Sequence, residues 1–69
     1  MTVDASALVA ILFAESGYLD LVDAILEAAV ARVGAPTLVE VEMVLAGRRG
    51  RPSGTEVASL VRELGLTVV

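Results

Sequence analysis

Asp4, Ser6 and Glu40 are the residues of this 69-residue chain whose types and spacing could do chemistry. Asp4 closes the apolar start "MTV" and is followed by "ASALVAILFA", ten residues without a charge. A carboxylate at such a junction costs free energy unless it is solvated, hydrogen-bonded or paired with a cation. Three roles are open to it: a helix cap, a solvated loop residue, or a ligand in a site. Glu40 lies 36 residues further on, in "APTLVEVEMVLAGRRG". The chain has no Cys, His or Lys, which excludes disulfides, Cys/His zinc sites and Ser–His, Cys–His or Ser–Lys nucleophile pairs. Carboxylates and hydroxyls without those partners suit hard ions such as Mg²⁺ or Mn²⁺.

Composition bounds the molecule that must position these groups. Hydrophobic residues make up 57% and charged residues 20%, too apolar for a disordered segment. The excess over an ordinary soluble domain reads as surface that expects cover, from the same domain or from a partner. Uncharged runs are shorter than the ~18–20 residues that span a bilayer, so no membrane insertion is expected. The acidic start lacks the basic region of a signal peptide, which makes the cytoplasm the expected location. Charge is unevenly spread. Residues 1–31 hold Asp4, Glu15, Asp20, Asp23 and Glu27 and no basic residue, whereas residues 32–69 hold five arginines against four glutamates.

Periodicity predicts a strand over 1–4, then an apolar helix over 5–14 that starts at the Asp4 and Ser6 caps and is buried on most sides. "ESG" breaks it. Tyr18, Leu21, Val22, Ile25, Leu26 and Ala29 recur every three to four residues and predict an amphipathic helix over 18–30. A short strand is expected at 32–34, and then a helix from near Thr37 to Gly50, with Pro36 at its entry. Ser53 with Glu56 forms a capping box for a further helix that Gly65 stops, and "LTVV" is a final strand. The order β-α-α-β-α-α-β implies an α/β fold, a parallel sheet with flanking helices. An apolar strand at its end leaves an open edge, so residues 1–69 read as the N-terminal part of one domain.

In such a sheet, sites form at the carboxyl ends of strands. Asp4 and Glu40 then rise on one edge and could share a cation. Glu42 falls on nearly the opposite helix face from Glu40. The plainer alternatives stand beside this: Asp4 as an N-cap, and Glu40 closing a capping box with Thr37.

"VDASALVAIL", "APTLVEVEMVLAGRRG" and "LVRELGLTVV" resemble, in order, motifs of PIN-domain nucleases, specifically VapC-type toxins of toxin–antitoxin pairs. The resemblance implies a metal-dependent endoribonuclease with Asp4 and Glu40 in its acidic metal cluster and Mg²⁺ or Mn²⁺ as cofactor. Ser6 would support Asp4. RNA is the implied substrate and a cognate antitoxin the implied partner, and the open strand edge makes a homodimer the expected assembly. Two departures matter. Ser16 stands where the family has a proline, and no acid follows Glu63, so the family's later aspartates have no counterpart. The acid cluster would be incomplete, and the 69-residue chain alone is not expected to cleave RNA.

Arg48, Arg49 and Arg51 could contact phosphates, although solvated arginines at a helix end are commoner. The Tyr18–Ala29 stripe reads as core, or else as a dimer or antitoxin surface. Glu42 reads as a solvated charge. The main rival is a non-catalytic PIN fragment acting as an antitoxin-binding or dimerisation module. A phosphoacceptor receiver is disfavoured, because it wants adjacent acids after the first strand and a later lysine.

Overall fold

A computed structural model describes residues 1–52 and 54–69. Its elements are α1 (Ala5–Leu12), α2 (Tyr18–Glu27), β1 (Arg32–Val33), α3 (Ala35–Arg49), α4 (Gly54–Leu64) and β2 (Thr67–Val68). The expected α/β sheet with β-α-α-β-α-α-β order is therefore not formed. Helices dominate, and the described strands make a two-stranded parallel sheet with Arg32 opposite Thr67 and Val33 opposite Val68. Only three residues precede the helix start at Asp4, too few for a ladder. Residues 1–3 instead make a single parallel bridge, Thr2 to Arg32, through Val3 N–H to Arg32 O and Arg32 N–H to Met1 O, each 2.8 Å.

Helix ends follow local chemistry. α4 stops where Gly65 takes φ +66°, letting Gly65 and Leu66 donate back to Arg62 and Val61. α3 ends at Gly50 in the same left-handed region. α1 ends two residues before the expected Ala14, because Ala14 itself adopts φ 49°. Its N–H bonds Ile11 O and that of Glu15 bonds Ala10 O, a terminating pair of bonds usually built on glycine. α3 begins at Ala35, earlier than expected, with Pro36 in its first turn and the Ala35 N–H donating to Val69 O at 2.9 Å. The expected Ser53–Glu56 capping box falls on Ser53, outside the described residues.

The core gathers around β1. Leu8, Val33, Val41 and Leu45 have no exposed area, and Ile25, Val57, Leu60, Leu64 and Leu66 pack with them. Two expectations of burial fail here. Ile11 and Leu12 are only half-buried, and on α2 only Ile25 is fully enclosed while Leu21, Leu26 and Ala29 are exposed. Among the described residues, no helix is long and apolar enough to cross a membrane.

Candidate functional site

Asp4 is the N-cap of α1, in extended backbone, with its carboxylate turned back over the first helical turn. Its Oδ1 accepts from the Ala7 N–H and from the Ser6 hydroxyl, both at 2.9 Å. These bonds to the charged form, the Ala7 amide first and Ser6 second, hold the Asp4 carboxyl below its ordinary value. The carboxylate is solvent-exposed and ionised at neutral pH. Two of the three roles open to Asp4 are thus compatible: Oδ1 caps the helix, and Oδ2 accepts no bond from the described residues. A groove of about 160 Å³ runs beside Asp4, between Met1–Val3 and the Leu21–Ile25 face of α2, and its lining does not include Glu40.

Glu40 is the sixth residue of α3, roughly 8 Å along the axis from Ala35. The capping box with Thr37 is not formed, since α3 starts two residues before Thr37. Glu40 is exposed and makes no hydrogen bond or ion pair among the described residues. Its side of the helix can be read from neighbours. Glu42 is half-buried, not fully solvated, and its Oε1 lies over Gly54 of α4. Arg48, about 80° round the axis from Glu40, has its guanidinium 4.6 Å from the Phe13 ring at the end of α1. Glu40 therefore occupies the flank of α3 toward α1, away from α4. α1 and α3 leave the sheet at the same edge and meet again at Phe13, so they run side by side in one direction.

The structure joins Asp4 to Ser6 directly, and no hydrogen bond joins either to Glu40. No three potential metal-ligating acids gather among the described residues. The donors that are present, two carboxylates and a hydroxyl, are all hard oxygens. Hard oxygens of this kind suit Mg²⁺ or Mn²⁺, ions that keep several of their own waters.

The arginines are committed elsewhere. Arg48 pairs with Glu15 at 3.5 Å, and Arg49 and Arg51 both pair with Glu56, at 3.1 and 3.7 Å. Arg49 also lies 5.4 Å from the Phe13 ring centre. This cluster ties the end of α1 to the end of α3 and the start of α4. No local signal around Phe13 marks its contacts with Arg48 and Arg49, 35 and 36 positions away.

No family model matches the chain, and no curated protein or solved structure shows significant similarity to it.

Proposed function

We propose that the chain carries part of the acidic site of a metal-dependent endoribonuclease, the toxin of a toxin–antitoxin pair. Asp4 and Glu40 would hold Mg²⁺ or Mn²⁺, and RNA would be the substrate. The observation that carries this reading is the pairing of Thr2 with Arg32. It brings Asp4 level with Gly34, the residue before α3, so two acids follow neighbouring parallel segments onto adjacent helices. The Ser6 hydroxyl and the Ala7 amide fix the carboxylate of Asp4 and keep it charged, leaving Oδ2 for a ligand. Glu40, freed of a capping role, supplies a second carboxylate on the flank toward α1. A bound ion would supply an aligned, acidified water and positive charge at the leaving oxygen of a phosphodiester.

Manganese titration by calorimetry tests the assignment. The chain is expected to bind Mn²⁺ weakly, and Asp4→Asn and Glu40→Gln each to abolish binding. Unchanged affinity in Asp4→Asn would make Asp4 a cap alone. That outcome would favour the second reading, a non-catalytic binding module, which is supported by the large apolar side chains left exposed on α2 and α3.

A further inference from the structure

We infer that the corner where α3 meets α4 binds the phosphate of a monoester with an apolar body, and that Glu56 is an internal stand-in for that phosphate. Arg48, Arg49 and Arg51 bring three guanidiniums to this corner, and Glu15 and Glu56 set two carboxylates against them. Arg49 and Arg51 share Glu56. The hold is loose. Arg49 spends one nitrogen, Nη1, on both Glu56 oxygens, at 3.2 and 3.1 Å. The strong geometry for a guanidinium pairs two nitrogens with two oxygens of the anion. Arg51 stands 3.7 Å from Oε1 of Glu56 and Arg48 stands 3.5 Å from Glu15, both longer than a good hydrogen bond. The Arg48–Glu15 pair is half exposed and Arg51 more so, and surface pairs of this kind contribute little to stability.

Phe13 decides what remains when Glu56 swings out. Its ring centre lies 4.6 Å from the Arg48 guanidinium and 5.4 Å from that of Arg49, so an uncharged group holds both cations in place. A phosphodiester carries a single charge, no more than the tethered carboxylate it would replace. A monoester carries about two negative charges at neutral pH and three strong acceptor oxygens, which match three guanidiniums with Glu15 still paired. The first turn of α4 turns the positive end of its dipole to the same corner. From Arg51 an open groove of about 630 Å³ runs between α3 and the start of α4, walled by Val39, Met43, Ala46 and Pro52. It has room for the apolar body of the ligand. Glu42 also lines the groove, which keeps the phosphate at the arginine end. Residues 1–31 hold five acids and no base, so an anion is steered to this corner and away from that half of the chain.

The inference uses neither Asp4, Glu40 nor a metal, so it stands or falls apart from the nuclease reading. The probe is phenyl phosphate, compared with inorganic phosphate and dimethyl phosphate at matched ionic strength. NMR of the ¹⁵N-labelled full chain, with the arginine side-chain signals included, reports the site. Phenyl phosphate is expected to shift Arg48, Arg49, Met43 and Glu56, inorganic phosphate to shift the arginines more weakly, and dimethyl phosphate to leave them unshifted. Glu56→Gln removes the internal competitor and should tighten phenyl phosphate roughly fivefold, whereas Arg49→Gln should weaken it roughly tenfold. Arg51→Gln, at an exposed side chain, should weaken it as well, and Asp4→Asn should leave it unchanged. Circular dichroism checks that each variant is folded. A cluster that only braces the helices would lose stability in Glu56→Gln without gaining affinity, and that result would overturn the proposal. So would equal shifts from dimethyl phosphate, or sedimentation showing the groove covered by a second copy.

Discussion

Asp4 turns one carboxylate oxygen toward the protein and leaves the other outward, and its pH response follows. In the folded chain the carboxyl titrates below its ordinary value of 3.8, because protonation would weaken the bonds from Ala7 and Ser6. The unfolded chain therefore takes up the proton first as pH falls. The stabilisation from Asp4 is complete above the ordinary carboxylate range and is lost as pH drops through the lower folded value. Thermal unfolding from pH 7 down to pH ~2.5 should show it, because carboxylates titrate near pH ~4 when unperturbed. The difference in midpoint between the parent and Asp4→Ala should be constant at neutral pH and shrink at the acid end. A difference independent of pH would mean the charge on Asp4 contributes nothing to the cap. Both of these bonds are local in sequence, which is why the Asp4 cap was legible from "VDAS", whereas the support from Ser6 was implied by the family resemblance. The Phe13 contacts with Arg48 and Arg49 were not legible, because no periodicity links positions that far apart.

Local rules decided the helices where a residue type favoured the conformation that ends them. Gly50 and Gly65 ended α3 and α4 as expected, since glycine enters the left-handed region without cost from a side chain. Ala14 does the same job against its preference, and its type gave no signal that α1 would stop at Leu12. Replacing it should therefore help. Ala14→Gly is expected to stabilise the fold by about 0.5–1 kcal/mol, the left-handed penalty less the added freedom of the unfolded chain. Urea denaturation measures it, and a loss of stability would show that the Ala14 methyl contributes packing. The Thr37–Glu40 capping pattern was misleading for a different reason: Pro36, suited to the first helical turn, sets the start of α3 two residues earlier. The first strand failed by length. Its residues alternate as a strand should, but periodicity cannot say that three residues will form only one bridge.

At the scale of the whole molecule, the chain spans 35 × 27 × 16 Å, and the short dimension leaves little interior. Among the described residues, 11 buried hydrophobic side chains must hold four helices together. Each should weigh heavily. Leu8, fully enclosed between α1 and the rest of the core, is the sharpest test: Leu8→Ala should cost about 2–5 kcal/mol in chemical denaturation. A cost below about 1 kcal/mol would mean α1 is not anchored through Leu8. The high apolar content legible in the sequence is accounted for by this thinness, which leaves Leu19, Leu26, Val39 and Met43 at the surface.

The bonds around β1 also set an order of assembly. Residues 1–33 contain everything needed to close the Thr2–Arg32 bridge and to pack α1 on α2. The entry to α3 does not complete itself in this way, because the Ala35 N–H is met by Val69, 34 residues later. On a chain emerging from its N-terminus, α1 and α2 can therefore collapse while one side of β1 still waits for β2. Closing that loop is entropically modest, since the cost grows only with the logarithm of its length. It is nevertheless a long-range step, and during synthesis it follows the emergence of α3 and α4. Until Thr67–Val69 dock, the central strand is a hydrogen-bonding edge in search of a partner, which makes that interval the one in which another chain competes with β2.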